Sequence, residues 1–426
     1  MKLQNVLDRN TWKSHGAVST PDEVVNFMLA VPGVQDWHNL DILEPACGFC
    51  NFLTAIAARY PENRFVGVEF NPEVFAMARA LHPTFNLILA DFLLWETADR
   101  YDLVIGNPPY GIVGSESHYP IHVLQEKKPL YKQRFATWSG KYNVYGAFVE
   151  KGLSLLRPHG RLVYIIPATF MILDEFAELR HYLARSGRVK VYYLGPGIFD
   201  GVSVSSAILV VERGRTGSEL YEVDGLEYVR QCYAWESYRG ELIRFETAET
   251  AAFEQCGVPL GEIFDIRISA RSPEVRRNPY VQTKFFDGAV PLLNGRNLQP
   301  GSIDYGACHS GFWMRLEDAP RLKSFYSRLR IAVGHTKGGR VVAALDERRF
   351  PWIGDVYHLM PKGDLSTEEL RAVVHALNAD ETQQYVRALY KEITPHITAT
   401  QLLLLPLHKG IGSNAMQSQQ ARLPGL

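Results

Sequence analysis

Between positions 41 and 211 the chain alternates short runs of β-branched and aliphatic residues with longer stretches in which apolar positions recur every three or four residues. That alternation predicts strands over 41–45, 65–69, 86–90, 102–106, 161–167, 189–194 and 203–212. Helices are predicted between them over 52–60, 72–81, 144–156 and 174–186. Strands that alternate with helices build a parallel sheet covered on its faces, so the expected class is α/β with a mostly parallel, seven-stranded sheet. The last two strands lie too close for a crossover helix, and one antiparallel strand is therefore expected to close the sheet.

The rhythm stops at the polar stretch Arg213-Gly214-Arg215-Thr216-Gly217, and a transitional segment is expected from there to about position 246. Beyond it, aromatic-rich runs, many Arg and Pro, and helical patterns over 367–377 and 381–393 predict a mixed α+β domain. The expected division is 1–244, 245–410 and a polar, loosely ordered tail over 411–426. Length agrees, because 426 residues exceed the roughly 250–300 at which single cores stop growing. With 46% hydrophobic and 21% charged residues, a disordered or collagen-like chain is excluded.

The first residues lack the basic-then-apolar stretch of a secretory signal, and the longest apolar run, 162–173, is broken by Pro167 and Thr169. It is far shorter than the roughly 20 residues of a membrane helix, so a soluble protein without membrane contact is expected. Five cysteines, an odd and scattered number, suit a reducing cytoplasm.

The first chemical signal is Glu44-Pro45-Ala46-Cys47-Gly48-Phe49-Cys50, where a strand runs through small residues into a helix. Such a loop lets backbone approach a ligand at the carboxyl edge of the sheet. The next strand ends in Glu69, about 20 residues on, where a carboxylate can hold a ribose diol. A third ends in Asp91-Phe92, a second acceptor beside an aromatic face. Together they describe a site for a nucleoside-containing cofactor. It is not a dinucleotide site, since only Gly48 of a G-x-G-x-x-G pattern is present, and Glu44 would repel a pyrophosphate but suit a positively charged ligand. Cys47 and Cys50 also permit a thioredoxin-like redox reading, against which stands their use as small residues in a tight loop. No second Cys or His pair accompanies them, so no metal is expected.

The sharpest signal is Asn107-Pro108-Pro109-Tyr110 after the strand over 102–106. Such residues also make an ordinary turn. Proline, however, fixes the backbone, so the Pro108 carbonyl and the Asn107 side-chain oxygen can form a rigid pair of acceptors suited to an NH2 group. Hydrogen bonds from both N–H groups of a conjugated amine would concentrate its delocalised lone pair towards an electrophile. Tyr110 offers a stacking surface for the planar ring that carries the amine.

These residues resemble the S-adenosylmethionine-dependent amino methyltransferases of DNA, and most closely the TaqI-type adenine-N6 DNA methyltransferases, the γ class of restriction–modification systems. The resemblance runs from Thr20-Pro21 to Pro395-His396-Ile397-Thr398 and includes Lys141-Tyr142-Asn143-Val144-Tyr145-Gly146-Ala147-Phe148 and His335-Thr336-Lys337-Gly338. It implies the S-adenosylmethionine-dependent methyltransferase fold followed by a DNA-recognition domain. By resemblance, Thr20 closes over the methionine end of the cofactor, and Glu44, Pro45, Ala46 and Cys47 contact its methionine moiety. Glu69 would hold the ribose hydroxyls, Asp91 the adenine amino group, and Phe92 and Phe148 the adenine faces, with Pro109 close by. The usual family loop has a second glycine near Phe49 or Cys50, which this chain lacks. Asn107 and Pro108 would activate the target amine, and Tyr110 with Phe199, in Gly195-Pro196-Gly197-Ile198-Phe199, would clamp the flipped base. Arg271 and Lys337 would contact DNA, and Pro395 would fill the vacated space.

Charge at first speaks against nucleic acid, with 45 Lys+Arg against 46 Asp+Glu. Resolved by position, 15 basic and seven acidic residues fall between Arg267 and Arg349, an excess of +8 that leaves −9 elsewhere. A basic recognition segment beside an acidic cofactor domain is the footprint of a phosphate-binding cleft, although Arg-rich faces also serve solubility. The resemblance implies double-stranded DNA as substrate, TCGA as target, and a cognate restriction endonuclease as functional partner without physical contact; a monomer is expected. The alternatives are an amino methyltransferase acting on ribosomal RNA guanine or protein glutamine, a C-x-x-C redox protein, and a DNA-binding module with a vestigial cofactor fold.

Overall fold

The computed structural model describes residues 20–31, 37–113, 120–121, 124–140, 143–199, 204–269, 273–275, 280–391 and 393–408. The chain divides between Phe245 and Glu246 into two compact units.

In the first unit the apolar runs become strands of one sheet: β1 (Asp41–Pro45), β2 (Arg64–Glu69), β3 (Asn86–Leu89), β4 (Tyr101–Gly106), β5 (Leu156–Pro167), β6 (Gly187–Gly195) and β7 (Ser206–Arg213). Helices α1 (Asp22–Ala30), α2 (Asn51–Ala57), α3 (Pro72–Leu81), α4 (Lys128–Arg134), α5 (Tyr145–Ser154) and α6 (Ala177–Ser186) accompany them. Leu43, Val66, Val104, Val163 and Ile165 are wholly buried, as expected of strands covered on both faces. Helix α3 starts where Asn71 accepts from the backbone N–H groups of Glu73 and Val74, with Pro72 at the first helical position.

Strands β1 to β5 are mutually parallel where they pair. The antiparallel strand expected near the end of the sheet is β7, which lies between β5 and β6 and runs against both. The sheet does not stop there. Where the sequence suggested a transitional segment, β8 (Ser218–Asp224) pairs parallel to β6, and β9 (Tyr228–Trp235) folds back antiparallel on β8. The order is β9-β8-β6-β7-β5-β4-β1-β2-β3, nine strands in place of seven. Most of β9 is exposed, so burial imposes no continuous apolar run on it and the hydrophobic pattern is weak. Its turn is only half encoded, because Gly225 and Leu226 both adopt positive φ, the geometry of a tight hairpin turn, which suits the glycine but not the leucine.

In the second unit, β10 (Phe264–Ile268), β11 (Ile331–Gly334), β12 (Ala343–Leu345) and β13 (Val356–Pro361) form an antiparallel sheet in the order β10-β13-β11-β12. A core around Leu292, Leu293, Met314, Tyr326 and Trp352 supports it. The two late helices span Thr367–Asn378 and Asp380–Tyr390, the first opened by a reciprocal cap between Ser366 and Glu369. Among the described residues no helix is long and apolar enough to cross a membrane.

Candidate active site

The carboxyl ends of β1, β2 and β4 meet at one edge, since β1 pairs with both neighbours, Pro45 opposite Val68 and Leu43 opposite Val104. The loop from β1 to α2 turns tightly because Ala46, Gly48 and Cys50, every second residue, adopt left-handed φ. The Cys47 N–H donates to the Val68 carbonyl at 3.0 Å and the Gly48 N–H to Glu69 Oε2 at 2.9 Å. The other Glu69 oxygen accepts from the Asn71 N–H at 2.8 Å, so its carboxylate is oriented from both sides. A Cβ on Gly48 would meet nothing within 4 Å, so this face of the loop is open to a ligand.

Glu44 lies under the loop, 3% exposed, and Oε2 accepts from the Leu53 N–H at 3.1 Å. Burial pushes its carboxyl up to about 8, against the lowering by the Leu53 and Phe52 backbone N–H groups, and the nearby Glu69 charge adds to the rise. A buried carboxyl with a second carboxylate close by is a poor place for phosphate and a good one for a cation.

Asp91, just beyond β3, is more committed than the sequence suggested. Its Oδ2 accepts from Lys127 Nζ at 3.0 Å and from the Tyr131 hydroxyl at 2.7 Å, and Lys127 also sits over the Phe70 ring, 4.8 Å from its centroid. Sequence reasoning missed both partners because no element was predicted around them; Pro129, near the start of α4, was the available signal. Phe92 and Phe148 come together at 5.2 Å between centroids, tilted by 30°. Two contact layers for an inserted purine need about 7 Å, so in this structure the rings form one wall and not a sandwich.

The Asn107–Tyr110 loop is joined directly to this edge. A Cβ on Gly106 would stand 3.4 Å from the Pro45 carbonyl oxygen and 3.7 Å from Glu44 Cγ, ordinary contact distances that place the end of β4, and Asn107 after it, beside the β1 loop. Asn107 Nδ2 donates to Thr20 Oγ1 at 3.0 Å, a link not foreseen from sequence. Pro108 is buried and Pro109 half-buried. The Tyr110 hydroxyl donates to the Ile165 carbonyl on β5 at 2.9 Å, which fixes the ring. The loop is closed by Asn143, whose Oδ1 accepts from the Gly111 N–H at 2.9 Å, while the Val144 N–H donates to the Gly111 carbonyl at 2.8 Å. Phe199, 3% exposed, reaches Tyr110 from the loop after β6, edge to face at 6.1 Å.

Cys47 and Cys50 are free and buried, and their own hydrogen bond, followed by burial and the Glu44 and Glu69 charges, drives the Cys47 thiol well above its ordinary value. A redox cysteine needs the opposite environment.

In the second unit, Arg271 lies outside the described residues. Ten of the twelve described Lys and Arg between 267 and 349 are exposed. The other two are engaged within the fold. Arg330 is wholly buried over Tyr326, and Lys337 Nζ donates to the Gly295 and Leu298 carbonyls at 2.7 and 2.9 Å. The two late segments singled out in the sequence do meet. Gly339 N–H donates to the carbonyl of exposed Pro395 at 2.9 Å, the Ile397 N–H to the His335 carbonyl at 3.0 Å, and the His335 and His396 rings stack at 4.8 Å.

Residues 67–196 match the Eco57I restriction-modification methylase family and residues 290–407 the TaqI-like C-terminal specificity domain. Over 398 residues, 92% of this chain and 91% of its relative, the sequence is 46% identical to the Type II methyltransferase M.TthHB8I of Thermus thermophilus. A shorter match, 35% over 95 residues, covering 22% of this chain and 24% of the relative, is to the Type II methyltransferase M.CvrRI of a Paramecium bursaria Chlorella virus. A solved structure of a nuclease-deletion mutant of the Type ISP restriction-modification enzyme LlaGI shares the fold, with TM-score 0.55 and 14% identity over 89% of this chain and 53% of that one. This chain therefore belongs to the Type II methyltransferases of restriction–modification systems, enzymes that use S-adenosylmethionine to methylate DNA.

Proposed function

We propose that the enzyme transfers the methyl group of S-adenosylmethionine to N6 of an adenine turned out of duplex DNA, within the palindrome TCGA. The observation that carries this reading is that Gly106, which leads into the Asn107–Tyr110 loop, lies against Pro45 and Glu44, on a sheet edge whose next strands lead to Glu69 and Asp91. The donor set fits the cofactor: Glu69 for ribose hydroxyls, Asp91 for an exocyclic amine, the Phe92 and Phe148 wall for a purine, and Glu44 with Pro45, Ala46 and Cys47 for the cationic methionine end. Thr20 and Pro109 border the same site. When bound, the cofactor supplies an electrophilic sulfonium methyl.

The protein's own part is to prepare the nucleophile. Asn107 Oδ1 and the Pro108 carbonyl accept from the two N–H groups of the target amine and draw its lone pair out of conjugation. Flipping the base costs a few kcal/mol, offset by aromatic contact. Tyr110 and Phe199 touch edge to face in the free enzyme, so they must part to admit a ring; Gly195 and Gly197, both at positive φ, give the Phe199 loop that freedom. In the second unit, exposed Pro395 would occupy the vacated base position. Lys337 would act by holding the 335–339 loop in shape, with Arg271 and the exposed cations of 267–349 supplying charge to the DNA backbone. The units assigned by role are 1–244 for cofactor and chemistry and 245–410 for target recognition. A monomeric, cytoplasmic enzyme protecting DNA from a cognate endonuclease completes the reading, supported by the restriction–modification family and the free cysteines.

Asn107→Ala tests the chemistry. Cofactor and duplex binding stay intact while methyl transfer falls by at least roughly 100-fold, measured with labelled S-adenosylmethionine and plasmid DNA; wild-type turnover would remove the mechanism. Mapping the modified base in the same plasmid tests adenine N6 and TCGA.

A further inference from the structure

We propose that Thr20 is the positioning residue for Asn107, its hydroxyl holding the carboxamide so that the oxygen end faces the target amine. The inference rests on reading Asn107 as the amine-binding group. A carboxamide has two ends of nearly equal size and opposite chemistry. Only the oxygen can accept from an amine; the NH2 end would set N–H against N–H. Rotation about the last side-chain bond of asparagine is broad and roughly two-fold, so shape alone selects neither end.

The structure supplies the contact that holds one end in place. Asn107 Nδ2 donates to Thr20 Oγ1 at 3.0 Å across 87 positions of sequence. Thr20 is 5% exposed and precedes α1, whose first turn is tied down by the Val25 N–H donating to the Pro21 carbonyl at 3.0 Å. A β-branched side chain is stiff at its first torsion, so the hydroxyl is held in place; it can donate as well as accept, and here it takes the hydrogen bond from the amide nitrogen. Once the nitrogen is held there, planarity of the amide turns Oδ1 away from Thr20. The hydroxyl thereby couples the chain segment before α1 to the loop that performs the chemistry. Thr20 acts through Asn107, without requiring contact with the reacting atoms.

The test uses the full-length enzyme with Thr20→Val, which keeps the shape and removes the hydrogen bond, and Thr20→Ser, which keeps the hydroxyl. Single-turnover transfer to plasmid DNA is measured beside the Kd of cofactor and of DNA. At saturating cofactor, Thr20→Val is expected to slow transfer roughly 10- to 100-fold, the scale of a small misplacement of a catalytic group, beyond whatever its place at the methionine end adds to the cofactor Kd, and with the DNA Kd unchanged. Thr20→Ser is expected to transfer as wild type, and Thr20→Val added to Asn107→Ala to cost nothing further. The proposal fails if Thr20→Val transfers normally, if Thr20→Ser is as slow as Thr20→Val, if saturating cofactor restores the Thr20→Val rate, or if at saturating cofactor the double variant is slower than Asn107→Ala alone. A fast Asn107→Ala brings down the reading of the site and this proposal with it. A slow Asn107→Ala beside a fast Thr20→Val brings down this proposal alone.

Discussion

Glu44 in the first unit and Asp346 in the second are both buried carboxyls whose proton affinity is raised by loss of water, yet their surroundings differ. Asp346 accepts from Trp352 Nε1, the Tyr305 hydroxyl and the Arg349 N–H, each at 3.0 Å, and buried Arg330 lowers it further. Glu44 is lowered only by backbone N–H groups, and Glu69 pushes it the other way. One carboxylate is compensated by its own fold. The other is left short of positive charge, and a cationic ligand would supply it. A buried acid is therefore informative about function through what fails to compensate it, more than through burial.

The largest test of that contrast is Asp346→Ala, which strands buried Arg330 and three donors. It is expected to cost about 3–5 kcal/mol in urea unfolding of the full chain. A loss under about 1 kcal/mol, the ordinary scale of one neutral hydrogen bond, would break the comparison. Glu44→Gln is expected to behave oppositely, leaving the free enzyme no less stable at pH 8 while weakening S-adenosylmethionine at least about tenfold, or 1.4 kcal/mol; calorimetric titration decides.

The pH dependence sharpens the same point. Between the ordinary carboxyl value of 4.5 and about 8, the folded protein keeps the Glu44 proton and the unfolded chain has lost it. Stability of the free enzyme therefore falls as pH rises through that window, with the full penalty present above about 8. Glu44→Gln should remove this component, while the corresponding contribution of Asp346, also raised by burial, remains. Binding that favours ionised Glu44 releases its proton, so cofactor affinity is expected to weaken as pH falls below about 8.

The smallest expected effect concerns Lys337. As a half-buried strut on two carbonyls, Lys337→Met would cost about 1 kcal/mol, less than either change above, and leave the salt dependence of DNA binding unchanged. Removing exposed Arg340 is expected to lower that slope by about 1 if it meets a phosphate. A shallower slope for Lys337→Met would return it to the DNA interface.

Seven strands and six helices were legible, most of the strands because burial on both faces reads as an apolar run. The hairpin of β8 and β9 was not, because its outer strand mixes polar, small and aromatic residues with little burial. In the site, strand ends and the Asn-Pro-Pro-Tyr loop could be placed from local sequence. What stayed hidden were contacts between distant positions: Thr20 with Asn107, Lys127 and Tyr131 with Asp91, Asn143 with Gly111. Charge counting had the opposite fault, since it treated buried Arg330 and anchored Lys337 as though they were surface.

The placement of β7 between β5 and β6 bears on how the protein is made. During synthesis from the N-terminus, every residue of the Asn107 loop and the β5 carbonyl that anchors Tyr110 emerges before β7 exists. Strand β5 then has β4 on one side and an open edge on the other until Arg213 has left the ribosome. β6 cannot occupy that edge without blocking the native order. A nascent chain in this interval carries an exposed, strongly apolar strand, the kind of surface that invites mispairing and chaperone capture. Ribosomal pausing or truncation before β7 is free to pair therefore leaves an open apolar edge at which mispairing is to be expected.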